Sequence, residues 1–116
     1  DQDARARMTT VVNWRRGHKY DVRITRGTIY GNPFVLGRDG DRAAVLRYYR
    51  HKLATELDRA HTHVINIHTN LDVLRGKVLG CVCLPAACHG TTLAMLADMS
   101  RDERREWARR ELAGVS

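Results

Sequence analysis

The period of the hydrophobic positions changes several times along the chain, and each change marks a predicted element. Val11-Val12-Asn13-Trp14 and Tyr20-Asp21-Val22-Arg23-Ile24 are short β-branched and aromatic runs separated by the polar, glycine-bearing stretch 15–19. That pattern predicts two strands joined by a turn or short loop. Gly27, Gly31, Asn32, Pro33, Gly37 and Gly40 then crowd into a stretch with no period. A long irregular loop in a compact domain often carries function, so this is the first place to look for a site. Asp39 or Asp41 can cap the following helix, where Val45, Leu46, Tyr49, Leu53 and Leu57 recur at helical spacing. Arg42, Arg47, Arg50 and Lys52 fall mostly on its other side.

Residues 61–70 fit either a strand through Val64, Ile65 and Ile67 or a connecting loop. Leu71 to Leu74 suit a short turn of helix before Gly76. The run Lys77-Val78-Leu79-Gly80-Cys81-Val82-Cys83-Leu84 is nearly continuous in apolar residues, as in a central strand covered on both faces, and Pro85 ends it. Leu93, Met95, Leu96 and Met99 form the apolar face of a further helix, and Ser100 with Glu103 has the spacing of a capping box opening a last helix from Arg101 to about Ala113. The expected fold is α/β: a small single domain with a mixed or parallel sheet flanked by helices and an additional C-terminal helix. Residues 11–99 would form the domain, 100–116 the helix appended to it, and 1–10 a flexible extension in which Met8 is a candidate start.

Composition narrows the function classes. With 116 residues, 43% hydrophobic and 28% charged, the chain fits one globular domain. No apolar stretch approaches the roughly 20 residues of a membrane-spanning helix, and the opening residues lack a signal peptide's apolar run. A cytoplasmic location without membrane contact is expected. The formal charge of +7 favours anionic partners such as a nucleotide or nucleic acid, although it is also a common way of staying soluble.

The three cysteines are odd in number and lie within eight positions, unlike a secreted disulfide scaffold, so reduced thiols or thiolate ligands are expected. Residues two apart on a strand share a face, which lets Cys81 and Cys83 look into one pocket. Cys88, His89 and Gly90 would fall where that strand turns into a helix, and a helix start stabilises a thiolate or a bound anion. Cys81, Cys83, Cys88 and His89 could therefore offer Zn²⁺ a tetrahedral set. No Cys-x-x-Cys knuckle supports this, and Cys81 and Cys83 as small buried hydrophobes explain the same residues.

Gly31-Asn32-Pro33-Phe34 combines close backbone approach, an amide, a rigid proline and the only phenylalanine, and such a loop could clamp a planar base. A structural turn with Phe34 plugging the core fits equally. His61, His63 and His68 lack acidic or thiol companions and are expected in a solvated loop. The arginines of the last helix, interleaved with Asp102, Glu103, Glu106 and Glu111, are expected on a solvated face.

Several of these segments together resemble one family, the small bacterial and phage proteins of domain of unknown function family 4326. The carriers are Val12-Asn13, Asp21-Val22, Arg26-Gly27, Gly31-Asn32-Pro33-Phe34 with Gly37, Tyr48 or Tyr49, and Leu74-Arg75-Gly76-Lys77. The most specific is Leu79-Gly80-Cys81-Val82-Cys83-Leu84-Pro85-Ala86-Ala87-Cys88-His89-Gly90. The resemblance runs from about Val11 to Met99; it departs at Val82, where the family often has an aromatic residue, and leaves the last helix outside. It implies a compact α/β fold in which the Gly31 to Phe34 loop and the Cys81 to Gly90 turn line one pocket. It implies no catalytic role for any residue.

The preferred functional expectation is a pocket protein for a nucleotide or nucleic acid, in which Asn13, Gly31, Asn32, Pro33, Phe34, Cys88, His89 and Gly90 contact an anionic ligand. Two alternatives stay open. One is an enzyme using Cys88 as a thiolate or a Zn²⁺-bound water, with His89 as proton carrier. The other is a module that binds a host protein through its basic surface and last helix.

Overall fold

The computed structural model describes residues 8–59, 67–82, 86 and 88–114. Three parallel strands form one sheet: β1 (Thr10–Asn13), β2 (Val22–Arg23) and β3 (Val78–Cys81), with β3 in the middle. Four helices complete the α/β domain: α1 (Arg42–Arg59), α2 (Ile67–Asp72), α3 (His89–Asp98) and α4 (Arg101–Leu112). The central position of β3 explains its apolar run, since Leu79 and Cys81 are fully buried.

The strands are shorter than the apolar runs. Asn13 ends β1 because its side-chain oxygen accepts the Arg15 N–H at 3.0 Å and starts a 3-10 turn over Trp14–Arg16. Gly17, at φ 87°, closes that turn. Asp21 sits beside β3 without extending β2, its N–H donating to the Val78 carbonyl and its carboxylate accepting the Val78 N–H.

Of the two candidate caps for α1, Asp41 accepts the Ala44 N–H at 2.8 Å, whereas Asp39 holds the preceding loop through the Val35 N–H at 2.7 Å. Val45, Tyr49, Leu53 and Leu57 are buried from α1, as their spacing predicts, whereas Leu46 is half-buried. Ser100 and Glu103 form the capping box of α4. Ile67 lies in α2, so the later part of the 61–70 segment is helical; residues 61–66 lie outside the described residues.

Three expectations are corrected. Met95 is exposed and the apolar face of α3 is carried by Leu93 and Leu96. His68 belongs to α2 and is 2% exposed, so it is not in a solvated loop. Arg104 is fully buried rather than solvated. Its guanidinium donates to the carbonyls of Leu96 at 2.6 Å, Ala97 at 3.3 Å and His68 at 3.2 Å, and pairs with Asp72 at 2.8 Å. Arg75 donates to Ala97 at 2.8 Å and Met99 at 2.9 Å. Helix ends leave carbonyls without partners, and here two guanidinium groups supply the donors for α3. The demand is tertiary, so charge alternation within α4 did not reveal it.

Candidate functional site

In open parallel sheets, ligands bind in the crevice outside the carboxyl ends of the strands. In this chain that edge is formed by Asn13, by Ile24 and Thr25 after β2, and by Val82 after β3. A cavity of about 240 Å³ lies there. Thr25, Arg26 and Val82 form its sheet side, Asn32, Phe34 and Leu36 come from the irregular loop, Arg42, Val45 and Leu46 from the start of α1, and His89 from the start of α3. Asn32 and Phe34 of the loop thus face the same space as Val82 and His89. Among the described residues the lining contains two arginines and no carboxylate. Two helix starts add their positive dipole ends to the same field.

The loop residues have distinct tasks. Asn32 donates from its side-chain nitrogen to the Val45 carbonyl at 3.1 Å and accepts the Phe34 N–H at 2.9 Å, tying the loop to α1. Gly31 packs so closely that a Cβ there would lie 2.8 Å from the Thr25 carbonyl oxygen and 2.9 Å from the Arg26 Cα. Pro33 is exposed. Phe34 is a half-buried ring on the cavity wall and lies outside the buried core, with the Tyr48 ring 5.4 Å away at 54°. Asn13 donates to the Val82 carbonyl at 3.4 Å and so braces the strand end behind the cavity.

On the other side, Cys88 caps α3, its sulfur accepting the Gly90 N–H at 3.3 Å. His89 Nε2 lies 2.7 Å from the Ile24 carbonyl oxygen. That oxygen only accepts, so the Nε2–H donates, and in the neutral ring the Nδ1 lone pair is turned toward the Cys88 sulfur at 3.8 Å. Burial pushes the His89 pKa below 6.5, opposed by its bonds to the Ile24 and Tyr30 carbonyls, so the ring is neutral near pH 7. Gly90 admits the tight fit of α3 on the sheet, because a Cβ would lie 2.7 Å from Ile24 Cδ1 and 3.0 Å from Val11 Cγ1.

Cys81 and Cys88 are reduced and buried, and Cys83 lies outside the described residues. Among the described residues no group of three or more His, Cys, Asp or Glu side chains could hold a metal ion. A zinc set would therefore need Cys83.

Thr25, Arg26 and Arg42 line the cavity without having been legible as site residues in the sequence. For Arg42 the helical period points to the outer face of α1. One local signal was available: a cation in the first turn opposes the helix dipole and implies an external reason for being there.

A second cavity, of about 550 Å³, is lined by α1, α2 and residues including Ile29, Tyr30 and Leu93. Among the described residues the two cavities share no lining residue. Tyr49 borders it, and the Tyr49 ring meets the His89 ring edge-on at 5.2 Å, so this pair stands between the two spaces.

No helix among the described residues is long and apolar enough to cross a membrane. The sequence pattern of a family described as a domain of unknown function, DUF4326, matches residues 8–99. The chain is also 34% identical over 98 residues to an uncharacterized 12.4 kDa protein in the nrdA-td intergenic region of Enterobacteria phage T4, covering 79% of this chain and 80% of that protein. No solved structure matches.

Proposed function

The chain belongs to the DUF4326 family, and from that premise we propose that its cavity at the carboxyl edge of the sheet binds a phosphate-bearing small ligand of the nucleotide class. The observation that carries this reading is that Arg26, Arg42 and the Phe34 ring line one cavity with no carboxylate among its described lining residues. Guanidinium groups match phosphate in fork geometry, and an aromatic face accepts a planar base. Drug-sized ligands usually occupy about 300–1,000 Å³. A space of about 240 Å³ fits one phosphate and a ring rather than a dinucleotide.

Calorimetric titration with nucleoside monophosphates and, separately, with inorganic phosphate tests the reading. Arg26→Ala and Arg42→Ala are each expected to weaken nucleotide binding by about 10- to 100-fold, the loss of hydrogen bonds to a charged group. Phe34→Ala should weaken nucleotide binding while leaving phosphate binding nearly unchanged. No binding of any phosphate compound at low salt would remove the proposal.

A second reading is favoured by the Cys88–His89 geometry. A sulfur at a helix start, facing a neutral imidazole whose other nitrogen is fixed by a carbonyl, is the arrangement of an activated thiol. Cys88 is then expected to alkylate with iodoacetamide near neutral pH well ahead of Cys81, which should stay silent until unfolding. If Cys83 instead joins Cys81, Cys88 and His89 around Zn²⁺, purified protein should carry about one metal per chain and a chelator should destabilise it. Slow alkylation of every thiol in metal-free protein would leave the cysteines as packing residues.

A further inference from the structure

Positive charge is distributed unevenly over this protein. In α4, Arg101, Arg104, Arg105, Arg109 and Arg110 each form an ion pair with a carboxylate. Residues 14–26 carry Arg15, Arg16, Lys19, Arg23 and Arg26 against one carboxylate, Asp21, which is held by the Val78 N–H. None of these five cations takes part in an ion pair among the described residues. Asp39 feels the Arg26 charge only from beyond ion-pair distance; like charges gathered without close counter-charges cost stability, and an anionic partner would offset that cost.

Two aromatic rings lie within this cationic stretch. The Arg15 and Arg23 guanidinium carbons sit 5.7 Å and 5.3 Å from the Trp14 ring centre, and the Tyr20 ring centre is 6.5 Å from it. Tyr20 is 42% exposed. It is also seated firmly, because the central strand carries Gly80 beneath it; a Cβ there would lie 2.7 Å from Tyr20 Cγ. Arg23 leads onward, donating from Nε to the Thr25 hydroxyl at 2.6 Å, and Thr25 lines the Arg26–Arg42 cavity.

We infer that the segment from Trp14 to Arg23 is a docking surface for single-stranded nucleic acid, with Trp14 and Tyr20 stacking on bases and the neighbouring cations taking phosphates. It rests on the cavity reading only for where the strand ends. Rings interleaved with cations match the alternation of base and phosphate along a flexible strand. In a duplex the base faces are already stacked, and an acidic peptide would leave both rings without a counterpart.

Fluorescence anisotropy of the full chain with a labelled, 5′-phosphorylated thymidine oligomer provides the test. Trp14→Ala is expected to weaken binding about 10-fold or more, and Trp14→Phe to recover part of the loss. The exposed double variant Arg15→Ala/Arg16→Ala should leave folding intact and flatten the log–log salt dependence by about 0.7 for each phosphate it no longer neutralises. Unchanged affinity in a folded Trp14→Ala protein, equal binding of the matching duplex, or no strand binding at low salt would each overturn the inference. Trp14-dependent strand binding without nucleoside monophosphate binding would remove the cavity reading and leave this one standing. The reverse pattern would remove this one alone.

Discussion

Arg104→Ala is expected to destabilise the domain by about 2–4 kcal/mol, the cost of emptying a fully buried site and losing its charge-assisted hydrogen bonds. The guanidinium is fully buried and donates to three backbone carbonyls besides Asp72. Alanine removes one donor from each of those carbonyls, although Leu96 keeps the Met99 N–H and Ala97 keeps Arg75, and it empties the space that the buried side chain filled; each hydrogen bond lost from a charged group costs about 1.5–3 kcal/mol before relaxation. Arg104→Lys should rescue little, since one ammonium cannot span acceptors on α2 and on the end of α3. Urea denaturation measures the effect; a loss under about 1 kcal/mol would show that the network contributes little net stability.

The same cluster sets a pH dependence. Burial, reinforced by Arg104, Arg101 and Arg105, holds the His68 pKa below 6.5, and burial does the same for His89. The unfolded chain binds these protons near the ordinary value of about 6.5 and the folded chain does not. Stability is therefore full above that pH and falls as the pH drops below it, by at most about 1.4 kcal/mol per pH unit for each histidine. Burial also works to raise the Asp72 pKa, but its bonds to Arg101 and Arg104 prevail and hold it below 3.8, so its share of stability is lost only in stronger acid. Without the Arg104 charge, His68 protonates more easily, and the acid slope of Arg104→Ala should be shallower than that of the parent protein.

Gly31→Ala is expected to cost about 3 kcal/mol, the upper end for overpacking, and to abolish ligand binding in the cavity. The atoms its Cβ would strike are the Thr25 carbonyl oxygen and the Arg26 Cα, which are backbone and cannot rotate away. Thr25 O already accepts from the Thr28 N–H and hydroxyl, so the turn that carries it is braced against displacement. Because Thr25 and Arg26 line the cavity, relief of the clash must shift that wall. Gly17→Ala is the control. It has open space but a φ of +87°, and should cost only about 1–2 kcal/mol without affecting binding. Equal urea midpoints for the two variants would show that the Gly31 contact is not a close one.

Individual residues show which features were legible in the sequence. The α/β class, the central position of the Val78–Cys81 strand and the Ser100–Glu103 capping box are local or periodic properties, and period or spacing reports them directly, whereas the choice of Asp41 over Asp39 as the cap of α1 came from the structure. Strand ends were less legible. Asn13 and Asp21 divert the backbone through side-chain bonds, and that choice depends on β3 lying alongside. The loop from Gly31 to Phe34 was recognisable as a candidate site by its loss of period, but the role of its amide was not: Asn32 holds Val45.

Periods of 2 and 3.6 and turn chemistry act within a few residues, so the chain's pattern alone yields most of the elements, a central strand of a mixed or parallel sheet and the two non-periodic segments. That Arg42 faces a cavity, that Arg104 is buried and that the Ile24 carbonyl orients His89 follow from the assembled fold alone. A charged side chain's surroundings are set by backbone acceptors and carboxylates contributed by distant segments. Arg104 finds its partners in α2 and at the end of α3, and no pattern within α4 records where those acceptors lie.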